Sequence, residues 1–282
     1  LIAKRDYKGA IAMLDTYLNV HPTDVRSLTL RGDAKDDLGD YIGALVDYDA
    51  ALRINPNYAY AYATRAGTEM EMGHYDAAIT DATKALTLDP TQDMAYRARA
   101  ISYIDSGSHL DLALADGKKA VAIDSTNAYN VAVLCRAEYS QKQYDQALKD
   151  CTSAITLDAQ NGNAIFARGL VYYRQGAWAQ SVSDFRKTLQ IDSTNTNAYY
   201  WIATDEFQAQ QYAAALQDAD AFLKAAPNDA DAYLLRARIK LKLGNVAGAR
   251  IDANESLRQY QILADDAGTK DAQAFIDSLP KP

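Results

Sequence analysis

Seven aspartates stand in phase along this chain. Asp47, Asp81, Asp116, Asp150, Asp184, Asp218 and Asp252 follow one another at 34 residues, with one step of 35 between Asp81 and Asp116. Such carboxylates could ligate hard cations or pair with cationic side chains. Ligands of one ion must converge within a few ångströms, and groups a whole period apart do not. Arg31, Arg65, Arg99, Arg168 and Arg236 recur in the same phase, which predicts Asp–Arg pairs between helices. Leu134 and Ile202 interrupt the arginine column while Asp150 and Asp218 persist, so those aspartates must pair across repeats or bond to backbone.

Other reactive residues are sparse. His21, His74 and His109 have no second His or Cys at ligand spacing, which argues against a zinc site and leaves them exposed. Cys135 and Cys151 are too few for a disulfide framework and form neither a CxxC nor a CxxH pair; on facing sides of two helices they read as small core thiols. No glycine-rich phosphate loop, nucleophile elbow or Ser-His-Asp arrangement occurs. The expectation is a non-enzyme with no catalytic residue, no cofactor and no metal. Asn254-Glu255-Ser256 matches a glycan acceptor but falls inside a predicted helix, where acceptors do not belong.

Composition narrows the class of partner. With 29 Lys+Arg against 37 Asp+Glu, a net charge of -8 and pI of about 4.9, the chain repels phosphate backbones and anionic lipid surfaces. Nucleic acid is excluded as a partner, and without an apolar run of about 18 residues so is membrane insertion. The chain reads as soluble, cytoplasmic or, if a leader has been removed, periplasmic. At 49% hydrophobic residues with only 6 Pro it is too apolar for disorder and suited to long helices.

The elements that position the aspartates follow from the period. Full repeats begin at residues 25, 59, 93, 128, 162, 196 and 230, after a partial unit over 1–22. Three residues before each Asp stands Ala44, Ala78, Ala113, Ala147, Ser181, Ala215 or Ala249, and helices approach closely only over such small side chains. Gly39, Gly73, Gly107, Gly176 and Gly244 fall between two predicted helices, where glycine ends the first at positive φ, so the pair must run antiparallel. Pro56, Pro90 and Pro227 close second helices. One extra residue between Ser106 and His109 predicts a different turn near Gly107.

Gly32, Tyr41, Ala44, Tyr48, Ala51 and Pro56, recurring with variation from about Tyr7 to Tyr260, resemble the tetratricopeptide repeat family. The resemblance implies an all-α fold, a right-handed superhelical solenoid of antiparallel helix pairs over 25–260, binding other proteins. After Tyr260, residues 261–282 read as a capping helix and tail, with Thr269 as N-cap, an apolar stripe of Phe275, Ile276 and Leu279, and Pro280 as stop. The chain begins without Met at the tail of what would be a first helix, which reads as a longer gene product or a removed leader.

At 100° per residue, positions 4, 7, 8 and 11 of each first helix share a core face and positions 2, 5, 9, 12 and 13 the opposite, free face. In the resembled family the free face lines the inside of the superhelix. Here it carries Asp33, Asp36, Asp37, Glu71 and Asp105 in the early repeats and Tyr129, Arg136, Tyr139, Phe166, Tyr173, Tyr200 and Phe207 in the middle. Arg174, Arg238 and Lys242 follow in the last repeats. Tyr and Phe are anchor types of interfaces, so these fifteen residues are the expected contacts for a partner segment that is basic at one end, acidic at the other and apolar between. The alternatives are a structural subunit using convex helices, or a Tyr-lined groove for carbohydrate or a small ligand. The two-carboxylate clamp of some family members needs Lys and Asn where this chain has Thr29, Asp33, Thr64, Met94 and Ala98, so an acidic chaperone tail is not the partner.

Overall fold

A computed structural model of the chain describes residues 6–281; residues 1–5, the start of the expected partial repeat, and Pro282 lie outside the described residues. Among the described residues there are sixteen α-helices and no strand. They fall into two compact units, 1–159 and 160–282. The first holds α1 (Tyr7–Val20), α2 (Val25–Asp36), α3 (Tyr41–Ile54), α4 (Ala59–Glu71), α5 (Tyr75–Leu88), α6 (Asp93–Asp105), α7 (Leu110–Ile123), α8 (Ala128–Ser140) and α9 (Tyr144–Leu157). The second holds α10 (Gly162–Arg174), α11 (Trp178–Ile191), α12 (Asn197–Gln208), α13 (Tyr212–Ala225), α14 (Ala230–Lys242), α15 (Val246–Ile262) and α16 (Asp266–Ser278). In each unit the even-numbered helix opens a repeat and the following odd-numbered one packs antiparallel on it.

Local sequence sets the ends. The carboxylates of Asp6, Asp24 and Asp40 accept from the backbone N–H groups of Gly9, Ser27 and Gly43 at helix starts. The five inter-helix glycines have φ between 67° and 79°. Where glycine is lacking, Lys142 (φ 60°) and Gln210 (φ 61°) hold the same left-handed place, where a side chain is strained. Lys142→Gly and Gln210→Gly are each expected to raise stability by about 0.5–1 kcal/mol, read from urea unfolding; a lowered midpoint would show that these side chains contribute more than their strain costs. The extra residue of the third repeat produces a turn in which both Gly107 (φ 67°) and His109 (φ 48°) are left-handed.

The helix pairs close over matched sizes. Gly32 lies under the Tyr48 ring and Gly169 under Phe185; a Cβ on either would come within 2.5 Å or 2.9 Å of those rings. The same two places hold Ala66 and Ala82, Ala100 and Gly117, Ala203 and Ala219, and Ala237 and Ala253. In the fourth repeat they hold Cys135 and Cys151, which are joined in a disulfide with Cα atoms 5.2 Å apart. This corrects the reading as two thiols: these places face each other across every pair, and their separation falls within the disulfide range.

Two other expectations change. Position 5 is not on a free face, because Thr29, Ala63, Ala132 and Leu234 are buried there. Most first helices pack against a neighbouring first or second helix of their own unit as well as on their own partner, so positions 3, 5 and 10 are largely covered along with position 8, and most of the remaining exposure lies at 2, 9, 12 and 13. The last helix starts at Asp266 rather than after Thr269, since the Asp265 side chain caps it by accepting from Ala267 and Gly268 N–H groups. Gly268 fits there because its Cα approaches the Tyr260 ring, leaving no room for a Cβ.

Five guanidiniums grip five aspartates side-on. Arg31–Asp47, Arg65–Asp81, Arg99–Asp116, Arg168–Asp184 and Arg236–Asp252 each make two hydrogen bonds of 2.6–2.9 Å. The third guanidinium nitrogen of Arg31, Arg65, Arg99 and Arg236 donates to Asp15, Asp49, Thr83 and Asp220 on the preceding second helix, so one side chain ties three helices. Where Ile202 replaces the arginine, Arg186 of the preceding repeat supplies the cation, reaching Glu206 at 2.8 Å and Asp218 at 3.2 Å. Asp218 therefore pairs across repeats, one of the two outcomes expected, whereas Asp150 meets neither and accepts from the Gln146 side chain of its own helix.

Candidate partner-binding face

In the first unit, packing dictates an acidic cleft. Gly32 lets the Tyr48 ring cross beneath α2, so that its hydroxyl emerges to donate to Asp33 Oδ1 at 3.0 Å; Tyr60 of the next first helix donates to Asp33 Oδ2 at 2.8 Å. Thr68 donates to Asp36 Oδ1 at 2.6 Å. Leu30, Asp33, Asp36, Asp37, Tyr48, Tyr60, Thr64, Gly67 and Met94 enclose about 300 Å³ open to solvent. None of these lining residues is basic. Burial pushes the Asp33 carboxyl up to about 6 against the opposing effect of the two tyrosine hydroxyls, with the charges of Asp36 and Asp37 adding to the rise. Burial likewise raises Asp36, and raises Glu71 with help from the charges of Asp36 and Asp105.

Beyond the cleft, Arg136 donates to Asp105 Oδ1 at 2.6 Å, so two expected contacts are paired with each other. Tyr129 stands 56% exposed. Arg97 faces its ring at 5.9 Å and donates to Asn130 Oδ1 at 3.1 Å; burial lowers its pKa. Arg97 was not among the expected contacts, although it is the one cation at position 5, which otherwise holds Thr29, Ala63, Ala132, Phe166, Tyr200 and Leu234. Tyr139 lies with its centroid 5.7 Å from Tyr144, the first residue of α9.

The second unit repeats that last contact. Tyr173 meets Trp178 and Phe207 meets Tyr212, each at 5.6 Å, so position 12 closes on the first residue of the following helix. Tyr173 also sits edge-on to Trp201 at 5.0 Å. Phe166 packs on Phe185 at 5.1 Å, and Tyr200 on Trp201 and Phe222 at 5.6 Å each. These four rings are half-buried and form part of inter-helix clusters. Trp201, which meets Tyr173, Phe185 and Tyr200, was missed, although it occupies a column that otherwise holds Leu30, Thr64, Ala98, Val133, Ala167 and Leu235. Arg174 is exposed with its guanidinium 5.6 Å from the Tyr173 ring. Arg238 pairs with Asp271 of α16 at 2.7 Å, and Lys242 is exposed.

Tetratricopeptide repeat profiles match residues 134–196 and 201–264 in one form and 25–58 and 59–92 in another. Together they cover more than half of the chain, which belongs to the tetratricopeptide repeat family. A chain of the APC/C hetero-tetramer Cut9-Hcn1 shares the fold with a TM-score of 0.81 at 15% identity, over 98% of this chain and 54% of that one. The chain thus spans about half the length of that relative. The structure of pilF from Pseudomonas aeruginosa gives a TM-score of 0.62 at 23% identity, covering 77% of this chain and 97% of that one. A tetratricopeptide repeat protein from Parabacteroides merdae ATCC 43184 gives 0.60 at 17% identity, covering 90% and 97%. No curated protein matches the chain in sequence. The chain is a repeat scaffold of a kind consistent with protein–protein interaction; no helix among the described residues is long and apolar enough to cross a membrane.

Proposed function

We propose that this protein is a non-catalytic adaptor that holds a segment of a partner protein on the open stripe of its first helices, and that the acidic cleft of the first unit receives a lysine or arginine of that segment. The observation carrying the reading is the Asp33–Asp36 cleft: two half-buried carboxylates, oriented by Tyr48, Tyr60 and Thr68, beside the apolar Met94 and with no basic residue in the lining. Carboxylates raised by burial gain most from an incoming cation, and a long aliphatic stem suits Met94. Taken by itself, the second unit offers contacts for acidic and aromatic residues through Arg174 and Lys242 and the half-buried Tyr173 and Phe207.

The test is a randomised peptide array probed with the whole chain and with Asp33→Asn/Asp36→Asn. Retained peptides are expected to share a basic residue next to an apolar one, and the variant is expected to bind them at least about tenfold more weakly, as for the loss of a charge-assisted contact. Added salt should weaken wild-type binding more than that of the variant. Equal binding by both proteins would sink the cleft as the site. Ile42 and Val46, 64% and 59% exposed on α3, favour a second reading, a structural subunit docked through second helices. Loss of assembly in Ile42→Lys/Val46→Lys, with peptide binding intact, would select it.

A further inference from the structure

The chain has two cysteines in 282 residues, and both fall in the one repeat of the first unit that lacks its electrostatic clamp. In the repeats opened by α2, α4 and α6 an arginine ties the first helix to the second through Asp47, Asp81 or Asp116. The repeat opened by α8 has Leu134 instead, and its Asp150 accepts from Gln146 of its own helix. Glu138 faces Asp150 across the pair, so two carboxylates meet where the others join a cation to a carboxylate; burial and the Asp150 charge push Glu138 up to about 8. One residue beyond Leu134 and one beyond Asp150, Cys135 and Cys151 bridge the same two helices. Both are fully buried, which removes them from metal binding and from reaction with solutes in the folded state. In the second unit the repeat that lacks its arginine recruits Arg186, so each gap in the column has its own replacement.

We infer that the Cys135–Cys151 disulfide is the covalent replacement for the missing Arg–Asp clamp of the fourth repeat, and that the protein matures in an oxidising compartment. Formation converts two thiols to one disulfide with loss of two protons and two electrons. The acceptor is a disulfide, of an oxidoreductase or of glutathione, which leaves as two thiols. Because both sulfurs are enclosed once α8 and α9 pack, the exchange takes place before those helices close. Structural disulfides of this kind persist outside the reducing cytosol.

The test uses the full chain refolded from urea in a glutathione buffer poised as in a secretory lumen. Iodoacetamide in denaturant is expected to add nothing before reduction and two groups after it. In urea titration, reduction of the wild type is expected to lower the folding equilibrium constant about a hundredfold, the order for a loop of this size. Cys135→Ala/Cys151→Ala, which installs the Ala pair of the second, sixth and seventh repeats, is expected to ignore the reductant. Two adducts without reduction would overturn the assignment, and so would a disulfide lost at the lumenal poise. A cross-link whose reduction leaves the midpoint unchanged would overturn its role as the clamp. If the double variant fails to fold, the adduct count and the wild-type midpoints decide alone.

Discussion

Asp252→Ala is expected to lower stability by about 3–5 kcal/mol, the range for breaking a buried ion pair by removing one partner. Asp252 is 2% exposed and receives Arg236 through two nitrogens at 2.8 Å and Lys240 Nζ at 2.7 Å. Its loss leaves two half-buried cations facing one another, with Asp220 compensating only Arg236 at 2.7 Å. Asp81→Ala should cost less, about 1–3 kcal/mol, because Arg65 keeps Asp49 at 2.5 Å and no second cation crowds it. Adding Lys240→Met to Asp252→Ala should recover part of the loss. The readout is the urea midpoint of each variant, and midpoints matching the wild type would reduce the column to a solvated decoration. Repeat arrays draw stability from each repeat and its neighbours, so hydrogen exchange should show the loss greatest in α14 and α15.

The repeat, its helix pairs and its ion pairs were legible because they rest on period. A 34-residue recurrence of Asp, Arg and Ala fixes which residues face each other with no knowledge of rotamers. The replacement of Arg by Arg186 was legible only halfway: Ile202 announced a gap, and what filled it lay 16 residues earlier, on a helix that the within-repeat reading did not consult. The disulfide escaped for a related reason. Facing positions were recognised, but two buried cysteines look alike as thiols or as a bridge until a Cα separation is known. The binding face was the least legible. A helical wheel assigns two faces and leaves out the rings that neighbouring helices bring, so Phe166 and Tyr200 at position 5 are drawn into packing with Phe185, Trp201 and Phe222. The acidic cleft depends on Tyr48 passing beneath Gly32 and on Tyr60 from the next repeat, contacts that no single-helix reading contains.

The second large effect is expected at Asp205, and it has the opposite sign. Asp205 is fully buried on α12, and neither carboxyl oxygen has a hydrogen-bond partner. Ser181 lies beside it, but the Ser181 hydroxyl donates to Gly169 O at 2.8 Å and so has no hydrogen left for a carboxylate. Burial first, then the charge of Glu206, push the Asp205 carboxyl up to about 7. The same place in other repeats holds Ala34, Thr68, Ser102, Ala137, Val171 or Ile239. An acid whose folded pKa lies above its unfolded value of about 4 is least costly when protonated in both states. As pH rises from about 4 to about 7 the unfolded chain releases the proton and the folded chain keeps it, so stability falls across that window and levels off above it. Asp205→Val, which borrows the residue of the preceding repeat, should remove that fall. Its advantage over the wild type should be small near pH 4 and grow to about 2–4 kcal/mol by pH 8. Glu206 and Glu138 also have raised carboxyls and slope the wild-type curve in the same direction. The difference between the two proteins is therefore the quantity to measure, by urea unfolding at several pH values. A constant difference from pH 4 to pH 8 would mean that Asp205 does not titrate in that window and that its burial is relieved by a partner.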